Sequence, residues 1–121
     1  MKLNTDLIRE LLIYIEENSD GKNRIHDIQI QGYTEDEIEY HTEVLVEAGY
    51  VLGEYISIMG KGRYLAPVRL TLAGHSYLEN IRNKYIWAEV KKNMEIKGVK
   101  ATSLDIIKDF ANNFIRKKLD M

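Results

Sequence analysis

The chain has 121 residues, 45% of them hydrophobic and 30% charged, with one proline, no cysteine and a formal net charge of −2. That is enough chain for one domain with a core that needs no metal or disulfide support. Disulfides, thiol nucleophiles and thiolate zinc sites are excluded, and the near-neutral total is not the strongly basic balance that by itself points to nucleic acid.

A first helix is expected from Asn4 to Asn18. Asn4 is a good N-cap, Asp6 suits the first turn, and Leu7, Ile8, Leu11, Leu12 and Ile15 recur at helical spacing. The run Asn18-Ser19-Asp20-Gly21 breaks it, and Arg24 to Gly32, with Ile28-Gln29-Ile30-Gln31, alternates as a half-buried strand does. A second helix opens at Thr34, where Thr34-Glu35-Asp36-Glu37 matches a capping box, and should end at Gly49. Two strand-like runs follow, Tyr50 to Ile58 and Tyr64 to Thr71, joined by a turn at Met59-Gly60-Lys61-Gly62-Arg63. In the second run Tyr64, Ala66, Val68 and Leu70 are expected on one face, with Leu65, Pro67, Arg69 and Thr71 on the other. Pro67 implies an edge strand or a bulge.

The remainder reads as helix. Thr71 caps a short helix through Leu78 and Ile81. Another runs from Lys84 to Lys97 with Ile86, Trp87, Val90 and Met94, and Gly98 stops it. Thr102 or Ser103 caps the last, whose Leu104, Ile107, Phe110, Ala111, Phe114, Ile115 and Leu119 form a broad stripe. That apolar surface serves either packing within the chain or a homodimer through the C-terminal helices.

This order of helix, strand, helix, two-stranded hairpin and further helices is α+β and resembles a winged-helix domain with a C-terminal helical extension. The stretch Tyr33 to Val51, ending Glu47-Ala48-Gly49-Tyr50, resembles the recognition helix and following turn of that superfamily, and Leu70-Thr71-Leu72-Ala73-Gly74 its exit from the wing. Together with Asn80-Ile81-Arg82 and Trp87-x-x-Val90-Lys91, nearly the whole chain is similar to an uncharacterised family of small bacterial and phage proteins. That likeness brings no catalytic residues with it. It implies a winged core over residues 1–83 with helices over 84–121, one domain overall. The linker Ser19 to Gly32 looks extended, so the helix usual between the first two is short or absent.

DNA binding is what the superfamily resemblance implies, but the second helix is poorly suited to it. Glu39, Tyr40, Glu43 and Glu47 all fall within about 60° of Asp36 around the helix axis, opposite Ile38 and Leu45, and the helix has no Lys or Arg. A carboxylate at ~7 Å from a phosphate costs about half a kcal/mol even in water. Groove affinity comes from cations on phosphates and from Arg, Lys, Asn or Gln on bases. The face is therefore either the solvated side of an amphipathic helix or a protein-binding surface centred on Tyr40 that takes a basic partner. In its extreme form it imitates nucleic acid.

Charge by halves points to another DNA surface. Residues 1–60 hold four basic against thirteen acidic side chains, a balance of −9, while residues 61–121 hold thirteen against six, +7. Lys61 and Arg63 at the hairpin tip, Arg69 on its second strand, and Lys84, Lys91, Lys92, Lys97 and Lys100 offer cations for weak, salt-sensitive backbone contact, or simply solvate the outer faces of the later helices.

Nothing points to an enzyme. His26, His41 and His75 lack metal-ligand spacing, and phosphate-cradling glycine loops and G-x-S-x-G are absent, so no catalytic residue, metal or cofactor is expected. His41, at the edge of the buried helix face, is expected to bond backbone. With neither a signal-like start nor about eighteen uncharged apolar residues in a row, the expected location is cytoplasmic, with no membrane contact.

Overall fold

The computed structural model describes residues 1–60, 62–97 and 104–119, with backbone alone at 110, 114 and 117–119. The fold is α+β, with, among the described residues, five helices and one two-stranded antiparallel sheet in the order α1 (Thr5–Asn18), α2 (Glu35–Glu47), β1 (Val51–Ile58), β2 (Gly62–Leu70), α3 (Leu72–Ile81), α4 (Lys84–Ile96) and α5 (Leu104–Leu119). The chain divides into two compact units, Met1–His75 and Ser76–Met121.

In the first unit Asn4 caps α1, its side chain accepting the Leu7 N–H at 3.0 Å. Leu7, Ile8, Leu11, Leu12 and Ile15 are wholly buried, and α1 packs on α2 and β2. The capping box of α2 is complete: Thr34 Oγ1 accepts the Glu37 N–H at 3.1 Å, and Glu37 Oε1 accepts the Thr34 N–H at 3.0 Å. At its other end the Tyr50 N–H reaches the Leu45 carbonyl and the Gly49 N–H that of Val46, a Schellman ending. It needs a left-handed residue, which Gly49 supplies at φ 84°.

His41 ties the two helices together. Its ring is buried, Nε2 accepting the Asn4 N–H at 2.8 Å and Nδ1 lying 2.7 Å from the Glu37 carbonyl, which assigns the proton to Nδ1. This is the backbone-bonded histidine expected from its place on the helix.

The strand expected over Arg24 to Gly32 is not formed. Asp27 sits at φ 55° and Gly32 at φ 93°, so the chain turns where a ladder would have to run straight. One backbone bond, Ile25 N–H to the Pro67 carbonyl at 2.8 Å, holds the segment beside β2. The alternation expected in β2 also fails, since Leu65, Ala66, Pro67 and Val68 are all buried. The base of β2 is covered by both α1 and α2, and the register slips there: Leu52 pairs with Arg69 but Gly53 with Pro67, leaving Val68 as the extra residue. Pro67 thus marks both an edge and a bulge.

In the second unit α4 packs on α5, with Trp87, Val90, Met94, Leu104, Ile107 and Ala111 buried and Ile86 and Ile115 half-buried. Asn83 caps α4 by accepting the Tyr85 and Ile86 N–H groups, and Asn80 Nδ2 donates to Asn112 Oδ1 at 2.7 Å. Of the apolar side chains considered for a helical homodimer, Trp87, Val90 and Met94 are buried within the chain. The Gly98 stop and Thr102 or Ser103 cap lie outside the described residues, as do the side chains of Phe110, Phe114 and Leu119.

The start of α3 is bound to the end of α2. Thr71 Oγ1 donates to the Gly49 carbonyl at 2.7 Å and accepts the Gly74 N–H at 3.0 Å, confirming Thr71 as the cap, while the Thr71 N–H reaches the Tyr50 carbonyl at 3.0 Å. Gly74 has no room for a side chain, since a Cβ there would overlap the backbone carbonyl of Tyr50. Gly74→Ala should therefore destabilise the protein by about 3 kcal/mol or more, at the top of the usual overpacking range, as read from urea unfolding.

Candidate interaction surfaces

The outward face of α2 follows from how the helix is docked. With Ile38, His41, Thr42 and Leu45 buried, Asp36, Glu43 and Glu47 are exposed and Glu39 and Tyr40 are half-buried. Tyr40 is less free than an exposed anchor would be, because its ring meets His41 edge-on at 5.4 Å between centroids. Among the described residues none of the four acids lies in an ion pair, whereas Glu10 pairs with Arg9, Glu54 with Arg24, Glu16 with His75 and Glu79 with Arg82. Desolvation, then repulsion from Glu43, Asp36 and Glu35, raises the Glu39 carboxyl above its ordinary value. The face holds negative charge with no cation of its own to offset it.

The hairpin carries the opposite sign. Between Tyr55 and Leu78 the chain has no acidic residue but holds Lys61, Arg63 and Arg69. Arg63 is exposed, with its guanidinium 4.0 Å above the Tyr55 ring. Arg69, also exposed, donates from Nη1 to the Leu70 carbonyl at 3.0 Å. Six residues of strand, about 20 Å, separate the two arginines, so they form no single cluster. Lys61 lies outside the described residues. In the second unit Lys91 and Lys92 are both exposed on α4, and Lys91 Nζ lies 5.8 Å from the Trp87 ring. Lys84 and Lys97 are exposed there too, and Lys100 is outside the described residues.

Sequence reasoning missed the apolar character of the hairpin. Leu52 is 44% exposed, Tyr55 54%, Ile58 40% and Met59 at the tip 99%. For Tyr55, Ile58 and Met59 the signal was strand length: an eight-residue strand of about 26 Å outruns a helix about 10 Å across, so its far half cannot be covered by α2.

The histidines do not converge. His26 Nδ1 lies 3.1 Å from the Tyr64 hydroxyl, His75 Nδ1 lies 3.4 Å from Glu16, and His41 is enclosed as described. Among the described residues no three His, Asp or Glu side chains group to hold a metal ion, and no helix is long and apolar enough to cross a membrane.

A family model described as "Hypothetical protein (DUF2513)" matches residues 2–100. The chain belongs to the DUF2513 family. The DUF2513 match takes in α1, α2, the hairpin, α3 and α4, and stops before α5. A protein of Haemophilus influenzae (strain Rd) named "Uncharacterized protein" is 31% identical over 119 residues, covering 98% of this chain and 99% of its own length. No solved structure matches the chain.

The Glu39 environment has a measurable sign. A carboxyl raised in the folded state favours folding fully below its unfolded value, near 4.5, and that contribution is lost as pH rises through the folded value. Glu39→Gln removes at pH 7 the desolvation cost of the carboxylate and the repulsion from its neighbours, and should raise the melting temperature there. The gain should vanish below about pH 4.5, where wild type is protonated, and high salt should shrink only the part owed to repulsion. Melting curves across pH 4–8 at two ionic strengths read it.

Proposed function

We propose that this DUF2513 protein is a non-enzymatic, cytoplasmic winged-helix protein of regulatory type that contacts nucleic-acid backbone through its hairpin and not through α2. The layout supports the fold reading: α1 packs on α2 and β2, α2 runs by a tight turn into the hairpin, and residue 25 bonds along β2 where a third strand would lie. The observation that carries the contact is the hairpin's far end, where an acid-free stretch presents Arg63 held over Tyr55. A cation already braced on a ring loses less side-chain freedom on meeting a phosphate than a free one. Arg69, with Lys91 and Lys92 of the basic C-terminal half, extends the set of cations available to the backbone. Such binding is salt-sensitive and carries little sequence information.

The test is retention on duplex DNA at low salt. Lys61→Glu with Arg63→Glu should weaken it and lower the dependence of log affinity on log salt by about 0.9 for each phosphate no longer neutralised. Unchanged retention sinks the reading.

One observation favours a second reading: Asp36, Glu39, Glu43 and Glu47 lie around Tyr40 with no cation in reach among the described residues. Here α2 receives a basic protein, in the limit by imitating the charge of nucleic acid. Tyr40→Ala with Glu43→Lys should then lose a basic protein that wild type captures from lysate. Identical captures dispose of it.

A further inference from the structure

We propose that the outer edge of β1 pairs with the same edge of a second copy of this chain, antiparallel and centred on Tyr55, forming a four-stranded sheet across a two-fold axis. The sheet has one pairing, β1 with β2. The far edge of β2 is partly taken by the Ile25 bond to Pro67, but among the described residues no backbone bond from outside the hairpin reaches residues 51–58. An edge of that length is normally guarded by Lys, Pro, an inward charge or brevity. In Val51-Leu52-Gly53-Glu54-Tyr55-Ile56-Ser57-Ile58 there is no Lys or Pro, and the only charge, Glu54, lies 3.8 Å from Arg24. Leu52, Glu54, Tyr55, Ser57 and Ile58 are exposed.

The occupant follows from self-complementarity. In a two-fold antiparallel pair facing residues must lie on the same side of the sheet, so the axis passes through a residue position and not between two. Centring on Glu54 sets two carboxylates opposite each other, which is repulsive. Centring on Gly53 sets Leu52 against Glu54, and centring on Ile56 or Ser57 pushes Leu52 past the end of the strand. Centring on Tyr55 engages positions 52 to 58 completely: Leu52 faces the second copy's Ile58, Tyr55 faces its counterpart, and Glu54 faces Ile56. The three exposed apolar residues of the strand thereby meet apolar partners, and the carboxylates are kept apart. The pairing uses the backbone edge of β1 and not Arg63 or α2; because Tyr55 at its axis also braces Arg63, it is read from the association state and not from nucleic-acid retention.

The chain has no cysteine, so a single introduced thiol reports the register. Directly opposed positions place Cβ atoms ~4.5–5.5 Å apart, close enough for a disulfide to form with small adjustment. Tyr55→Cys should give a disulfide-linked dimer on mild oxidation. Ser57→Cys, whose counterparts would be four residues out of register and about 13 Å apart, should link far more slowly. Sedimentation of the unmodified full chain from micromolar to millimolar concentration should show a monomer–dimer equilibrium, which Tyr55→Lys weakens by about tenfold or more with circular dichroism unchanged. A wild-type monomer throughout that range overturns the proposal. So does a dimer indifferent to Tyr55→Lys, or equal cross-linking of the two cysteine variants.

Discussion

Five aliphatic side chains of α1, Leu7, Ile8, Leu11, Leu12 and Ile15, are wholly removed from water, each worth roughly 1.5–3 kcal/mol relative to exposure. The rest of the first unit is arranged to cover them. Burial alone would leave α2 free to roll about its axis, since Ile38, Val44, Leu45 and Val46 spread around more than one face. The His41 ring removes that freedom, because it must meet both the Asn4 N–H and the Glu37 carbonyl, and a buried imidazole denied either partner is costly. Once His41 points inward, Asp36, Glu43 and Glu47 point outward. The acidic face is thus fixed by a hydrogen-bonded core residue.

Covering α1 from the other side is the task of β2, and it explains why that strand is buried at four successive positions. Both α1 and α2 pack on it, and its register slips at Val68. Beyond that level the hairpin runs on past α2, met by Arg24 at Glu54 and by His26 at Tyr64. Apolar residues in its far half therefore stand in solvent, and the edge of β1 stays unsatisfied by any backbone of the described fold.

Features set by contacts between near neighbours were legible in the sequence. Asn4, the Thr34–Glu37 box, Gly49 and Thr71 are each recognised within a few residues and act as expected. Features decided by distant packing were not. Ile28 to Gln31 alternates well, but no strand is available to pair with it at more than one position, and the left-handed Asp27 that prevents a ladder has no mark in the residue pattern. Nor does periodicity tell that β2 is buried at four successive positions. Among the candidate interaction residues, the rotation of α2 was readable from Ile38, His41, Thr42 and Leu45 falling together on one side, whereas the partial burial of Tyr40 depends on a ring contact that no spacing rule contains.

Charge is distributed by the same geometry. The first unit holds seven basic against thirteen acidic residues and the second ten against six, so the small total hides a separation that follows the two units. Within the negative unit the far hairpin is a local exception. Gly53 is the level at which α2 touches β1, through Val46, and Arg63 pairs with Ser57 four residues further out, about 13 Å along the strand. Its guanidinium leans back over the Tyr55 ring, and among the described residues it makes no ion pair with the carboxylates of α2, whose pull on it salt screens beyond ~8 Å. The two surfaces can therefore carry opposite charge on one small unit and serve different partners without being merged into a weak average field.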